Sequence, residues 1–231
     1  MYNLKHELAY TKLSTANLES ASNCVCKTFA YNEPLARHLE MTEEDLKPFF
    51  HPLLVHSLED DLSWVASIKE TGEVVGASIC TDFANDFYPE RSFTPKLEYT
   101  LKLFDDLWRP FIQETHLYPK GYLAHGYVAA VLPEYQRLGI LTQLYQVSFA
   151  HGWKKGYRKV MGEITSQYSL NFMRKIPILK ECHAISYADY EVDGKKVFSG
   201  MDTHEKCILF SLSFENENQS QLRTTQMVNS L

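Results

Sequence analysis

The sequence predicts a single domain of α/β class, and three observations carry the prediction. Segments with the two-residue alternation of strands and segments with the three-to-four spacing of helices succeed one another along most of residues 7–214. With 231 residues, 45% of them apolar, the chain can bury one sizeable core, and no composition break marks a linker between halves. Residues 123–156 read as a buried strand, a tight loop and a helix in direct succession.

Taken in order, 7–13 alternates as a first strand, and Thr15 is placed to cap a helix with apolar positions Leu18, Ala21, Val25 and Phe29. Glu33-Pro34-Leu35 ends that helix, because the residue before a proline is pushed out of the α region. The capping sequence Thr42-Glu43-Glu44-Asp45 starts a second helix running towards Leu58, with Pro48 and Pro52 making it irregular. Residues 62–68 and 73–82, joined by Lys69-Glu70-Thr71-Gly72, form an antiparallel hairpin. The stretch 83–122 is long for a connection and carries a helical stripe of Leu97, Leu101, Phe104, Trp108 and Phe111. Residues 123–132 form a strand apolar on both faces. After Pro133-Glu134-Tyr135 a helix follows at once, with Leu138, Leu141, Leu144, Tyr145, Ser148 and Phe149 on one side. Residues 159–164 form a strand, 166–175 a helix, and 182–190 and 207–214 the closing strands around Asp193-Gly194. The polar, aperiodic stretch 215–231 is expected to be a loose tail.

Composition narrows the function. With 23 Lys plus Arg against 29 Asp plus Glu, and no basic run, nucleic acid is not an expected partner. Five cysteines with no zinc-type or redox-type CxxC pair are expected as reduced thiols, with no metal. The first residues carry Lys5, Glu7 and Lys12 instead of a leader's apolar run, and no stretch of about 18 apolar residues occurs, so a cytoplasmic protein without a membrane partner is expected.

The chemical signal is the run Val128-Ala129-Ala130-Val131-Leu132-Pro133-Glu134-Tyr135-Gln136-Arg137-Leu138-Gly139-Ile140-Leu141-Thr142. A strand feeding a helix start offers amides without internal partners and the positive end of the helix dipole, and a glycine there lets an anion approach the backbone. This run resembles the GNAT superfamily of N-acetyltransferases, whose motif is Gln or Arg, two residues, Gly, one residue, then Gly or Ala. Gln136 and Gly139 match; Leu141 stands where the small residue is usual. The resemblance implies a mixed, mostly antiparallel sheet splayed at the cofactor site and flanked by helices, with 83–122 as a long acceptor-side insertion between the third and fourth strands. It also implies acetyl-coenzyme A as co-substrate, its pyrophosphate on Gln136, Arg137, Leu138, Gly139, Ile140, Leu141 and Thr142, and its pantetheine arm on Ala130 and Val131.

Phe29-Ala30-Tyr31-Asn32-Glu33-Pro34-Leu35, Tyr187-Ala188-Asp189-Tyr190, the following Gly194-Lys195-Lys196-Val197-Phe198 and then His204 are similar to the arylalkylamine and dopamine N-acetyltransferase-like branch of invertebrates. That resemblance implies Glu33 as general base, with Thr165 and Ser169 of the segment Thr165-Ser166-Gln167-Tyr168-Ser169 as assisting hydroxyls. The competing use of Glu33 is as a helix cap or solvated loop carboxylate, and of Thr165 and Ser169 as capping hydroxyls. Where many members of the superfamily place a tyrosine as general acid this chain has Met173, so no general acid is assigned; Tyr168 is one available hydroxyl. Phe87 and Tyr88 are candidates for an acceptor pocket, whereas His125 reads as a satisfied core histidine. The implied reaction is direct acetyl transfer to the primary amine of a small acceptor, an arylalkylamine, in a ternary complex. Polyamine or protein N-terminal acetylation, and non-catalytic acyl-coenzyme A binding, are the rival readings.

Overall fold

Seven strands form one sheet in the order β1-β2-β3-β4-β5-β7-β6, in a computed structural model that describes residues 6–89, 93–115, 117–201 and 203–214. The strands are β1 (Leu8–Lys12), β2 (Trp64–Ile68), β3 (Val74–Asp82), β4 (Leu123–Val131), β5 (Lys159–Ile164), β6 (Leu179–Ser186) and β7 (Lys206–Ser213). Only β4 and β5 pair in parallel; every other neighbouring pair is antiparallel. The helices are α1 (Leu18–Asn32), α2 (Pro34–His38), α3 (Glu43–Ser57), α4 (Pro95–Trp108), α5 (Ile112–Thr115), α6 (Ile140–Lys155) and α7 (Gln167–Met173).

Helix α1 lies on β3 and β4, with α3 behind it, and α6 covers the other face. Gly76 makes that second contact possible: an added Cβ would sit 3.0 Å from Ile140 Cγ2 and 3.3 Å from Leu144 Cδ1. Helix α3 begins with the expected reciprocal cap, Thr42 Oγ1 accepting from Asp45 N and Asp45 Oδ2 from Thr42 N. It continues through Pro48 and Pro52 to Ser57. An interior proline costs a helix about 3 kcal/mol, and burying Leu46, Phe50, Leu53 and Leu54, each worth roughly 1.5–3 kcal/mol, offsets it.

Several local expectations are corrected. Asn17, not Thr15, stands at the α1 N-cap, where its Oδ1 accepts from Ser14 N at 2.8 Å. Helix α4 buries Leu97, Thr100, Leu103, Leu107 and Trp108, a stripe displaced from the expected Leu101, Phe104 and Phe111. A 3-10 turn at Pro133–Tyr135 and a loop separate β4 from α6, whose buried residues include Ile140, Thr142, Leu144, Ser148 and Gly152. Strand β6 starts at Leu179 and ends at Ser186, so Tyr187 to Tyr190 lie beyond it. The tail expected over 215–231 lies outside the described residues.

The connection 83–122 is pinned at its base by Asp82, whose Oδ2 accepts from Gly121 N at 2.7 Å and from Tyr157 Oη at 2.9 Å. Helix α4 packs on β6 and β7, and His183 Nδ1 bonds the Leu107 carbonyl at 2.9 Å. This places 83–122 on the same side as α2, over an apolar cluster of Leu35, Phe83, Trp108, Met161, Tyr187 and Phe198.

Candidate active site

After β4 the chain turns through Pro133–Tyr135, runs extended at Gln136 and takes left-handed backbone twice, at Arg137 (φ 63°) and Gly139 (φ 76°), before α6 begins. For Arg137 that conformation costs roughly 1–2 kcal/mol, strain of the kind that collects at binding sites. Among the described residues, the amides from Arg137 through Thr142 donate to no carbonyl or side chain; the first helical bond is Gln143 N to Gly139 O at 3.0 Å. Six consecutive free N–H groups at the positive end of a four-turn helix form a concavity suited to an anion. No atom lies within 4 Å of a Cβ added at Gly139, so the approach is open. Ile140 is buried and seats the helix start, whereas Leu141 is half-buried and belongs to none of the three apolar clusters. Gln136 turns its side chain back, Nε2 donating to Val131 O at 3.1 Å.

The sheet opens beside this loop. Pairing of β4 with β5 stops at Gly126 and Gly162, where an added Cβ on Gly162 would meet Gly126 O at 2.5 Å. Beyond that point β4 runs on to Val131 paired only with β3, while β5 stays with β7 to Ile164. The β3–β4 register, with Leu132 N bonded to Val75 O at 2.9 Å, directs the Ala130 peptide at β3 and the peptides of Ala129 and Val131 at the opening. Of the two residues expected to meet a pantetheine arm, Val131 therefore has an outward peptide group, and Ala129 joins it; Ala130 is buried against the core.

On the far side of the opening, Glu33 closes α1 and caps α2. Its Oε2 accepts from Ala36 N at 2.6 Å, while its Oε1 is buried without a hydrogen-bond partner. Burial raises the carboxyl pKa above the ordinary range, against the opposing pull of the Ala36 amide, the Thr165 hydroxyl and the Leu35 amide. Glu33 and Thr165 are thus brought together. The α7 cap falls to Ser166, whose Oγ accepts from Tyr168 N at 3.1 Å, which leaves Thr165 free of that task. Thr165 O accepts from Tyr187 Oη at 2.9 Å. Ser169 lies on the exposed side of α7, and the structure gives no contact between it and Glu33. Met173 is core, and Tyr168 is 71% exposed with its ring against His204. His204 Nδ1 accepts from Gln167 N at 3.1 Å, and burial together with Arg37 lowers its pKa. Phe87 packs on Phe49 and His56 with its carbonyl accepting from Tyr127 Oη, whereas Tyr88 is 71% exposed.

One constellation was not legible as such. His125, on β4, lies between two carboxylates: Nδ1 is 3.0 Å from Asp86 Oδ2, and Nε2 is 3.3 Å from Glu163 Oε1. Asp86 Oδ1 also accepts from Tyr127 Oη at 2.8 Å and Thr81 Oγ1 at 2.9 Å, and Glu163 Oε1 from the Trp108 indole N–H. Burial disfavours charge on His125, but Asp86 and Glu163 overcome it and raise its pKa to about 10. Burial likewise works to raise Asp86, yet the His125 charge and the three donors hold it below the usual range. A β-bulge sets the geometry: Ile79 pairs with Val128 and Cys80 with Gly126, so Tyr127 is the extra residue and turns towards Asp86 beside His125. His125 is satisfied, as expected, but as a charged residue.

The sequence matches no protein-family model. It also finds no match among curated proteins. Solved structures do resemble it. The C-terminal condensation domain of Ebony in complex with beta-alanyl-dopamine superposes with a TM-score of 0.78 at 14% identity, over 90% of this chain and 99% of that one. Arylalkylamine N-acetyltransferase 2 from Aedes aegypti gives 0.72 at 15%, over 90% and 100%. A Drosophila melanogaster polyamine N-acetyltransferase that forms N-acetylagmatine gives 0.70 at 17%, over 90% and 100%. The fold is therefore that of the GNAT N-acetyltransferases. A mosquito arylalkylamine N-acetyltransferase like 5b shares the fold too, with a TM-score of 0.73 at 18% identity, over 90% and 100%.

Proposed function

We propose that the chain transfers an acetyl group from acetyl-coenzyme A to the primary amine of a small arylalkylamine, by direct attack in a ternary complex. The observation that carries this reading is the Glu33 Oε1, a buried carboxylate oxygen without a partner beside the sheet opening. A protonated amine must lose a proton before its lone pair can attack a thioester carbonyl, and a carboxylate of raised pKa is suited to accept it. The Thr165 hydroxyl, which opposes the rise of the Glu33 pKa, supports a role in orienting that carboxylate. The free amides of Arg137 to Thr142 suit the pyrophosphate, and the outward peptides of Ala129 and Val131 suit the pantetheine arm. Acetyl-coenzyme A supplies the acetyl thioester; the C–N bond forms as the C–S bond breaks, and the amine proton passes to Glu33. Met173 offers no proton to the thiolate, which leaves unassisted, as a group with a thiol pKa near 8.5 can.

The acceptor class follows from the occupied carboxylates. Asp86 is saturated by Thr81, Tyr127 and His125, and Glu163 by Trp108 and His125. Among the described residues Glu33 Oε1 is the buried carboxylate oxygen left for an ammonium, which supports a single cationic head on an apolar body over a polyamine. All five cysteines are free, which supports a reducing compartment such as the cytoplasm.

The test is a thiol-release screen with tyramine, dopamine, serotonin, spermidine, agmatine and short peptides, run beside acetyl-coenzyme A titration. Saturable release with the arylalkylamines is expected. Cofactor binding with no release from any amine makes the chain a binder, and a preference for spermidine sinks the one-cation argument.

A further inference from the structure

We infer that His125 is a positioning residue for the acceptor, a charged clasp holding two segments of the insertion against β4, the front one through Asp86 and the end of α4 through Glu163 and Trp108. The inference rests on the proposed transferase reading only for its kinetic consequence.

Other contacts hold the insertion at separate points: Asp82 to Gly121 at its base, His56 to the Asn85 carbonyl at its front, and His183 to the Leu107 carbonyl where α4 packs on β6 and β7. Asp86 lies at its front, directly after a 3-10 turn at Phe83–Asn85, and Trp108 ends α4 at its back. Both segments meet on one imidazole. Phe83, Trp108 and Tyr127 surround the ring at centroid distances of 6.0, 5.0 and 3.8 Å. Each ring nitrogen faces a carboxylate and no other acceptor, with side-chain exposures of 6% for His125 and 9% for both Asp86 and Glu163. A neutral tautomer would turn a lone pair on one of those carboxylates, so the geometry requires both nitrogens to donate. Removing the cation leaves two buried negative charges facing one site, the costly half of a broken ion pair. The path to the reacting centre is short: Glu163 stands on β5 one residue before its last, Ile164, and Thr165, whose hydroxyl acts on Glu33, follows directly. A shift of the insertion would move Phe83 and Trp108, which share an apolar cluster with Leu35 beside Glu33, without touching the amides that suit the pyrophosphate.

The experiment is hydrogen exchange on the full chain without ligands, combined with amine and acetyl-coenzyme A kinetics. His125→Gln keeps a donor but no charge. It is expected to speed exchange about tenfold in 83–89 and 95–112 while α1 and α6 keep their protection. Amine KM is expected to rise about tenfold, with acetyl-coenzyme A affinity within about twofold and kcat less affected than KM. Two single-end variants decide the matter if His125→Gln does not fold. Asp86→Asn should loosen 83–89 alone, and Trp108→Phe, which keeps a ring but loses the donor to Glu163, should loosen 95–112 alone. Unchanged exchange in those segments, or equal loosening across the domain, overturns the clasp. So does an unmoved amine KM in a variant that loosens. Should no amine turn over in the unmodified protein, the transferase reading fails, and the exchange pattern by itself decides whether the clasp exists.

Discussion

Glu33→Gln separates a proposed base from a helix cap, because the two uses fall on different oxygens of one carboxylate. Oε2 is engaged by Ala36 N at 2.6 Å, and a glutamine carbonyl oxygen can accept that bond equally. Its NH₂ then takes the place of the unpartnered Oε1. The cap bond is kept and the substitution relieves the burial of a charge, so stability at neutral pH should move little. Removing a positioned base costs roughly 10² to 10⁴ in rate, or about 2.7–5.4 kcal/mol of barrier. The pH profile carries the sign. Burial raises the Glu33 pKa, and the deprotonated form is the active one, so wild-type kcat/KM should fall as pH is lowered through a value above the ordinary carboxylate range. The same raised pKa makes the folded state bind that proton more tightly than the unfolded chain. Its contribution to stability is therefore present at acid pH and lost as pH rises through the folded pKa. The variant should lack both dependences and regain part of its rate at high pH, where more amine is already neutral. Thiol release from pH 5 to 10, with cofactor titration alongside, measures this. Wild-type turnover at neutral pH, or an acid limb that persists in the variant, would refute Glu33 as the base.

Gly139→Val places a β-branched residue at φ 76° in open space, so it should lower acetyl-coenzyme A affinity at least about 100-fold while lowering Tm by only a few degrees; unchanged affinity in a titration removes the anion site. Leu141→Ala should leave that affinity equal or tighter, since Leu141 packs into none of the apolar clusters; a large loss would mean the leucine supports the loop. Gln136→Ala frees the Val131 carbonyl and unties the loop from the strand end, and one hydrogen bond of about 1 kcal/mol predicts roughly fivefold weaker cofactor binding; no change would show that the brace is idle.

What was legible in the sequence was local, and what was hidden was the meeting of distant segments. The hairpin of β2 and β3 could be read because alternation and a Gly72 turn at φ 75° lie within about 20 residues. The loop before α6 could be read because a proline, a glycine and a helix start sit in one short run. The α4 face could not, since Leu101 and Phe104 compete with Leu103 and Leu107 on neighbouring stripes, and the choice depends on the distant strands β6 and β7 on which the helix packs. Asp86, His125 and Glu163 are separated by 39 and 38 residues and meet only because β3, β4 and β5 are adjacent. The resemblance implied a splay, but its hinge was visible only in the structure, at a glycine that looked ordinary.

Gly162 tests whether that hinge is set by steric contact. Its added Cβ would stand 2.5 Å from a backbone oxygen, Gly126 O, and 3.1 Å from Phe210 Cε1. The ring can tilt, but the carbonyl belongs to the strand that pairs with β5, so relief requires the two strands to separate where they already begin to part. Gly162→Ala should therefore cost about 1–3 kcal/mol, as overpacking of a close contact does. For a domain of this size that is a fall in Tm of roughly 2–12 °C. The opening should also widen. The Ala129 and Val131 peptides would then lie farther from Glu33, so turnover should fall more than acetyl-coenzyme A affinity, whose amides lie beyond the strand end. Calorimetry and steady-state kinetics measure the two effects. An alanine variant with wild-type Tm and turnover would mean that the strands diverge for another reason, and that the close approach of Gly162 to Gly126 does not set the geometry of the site.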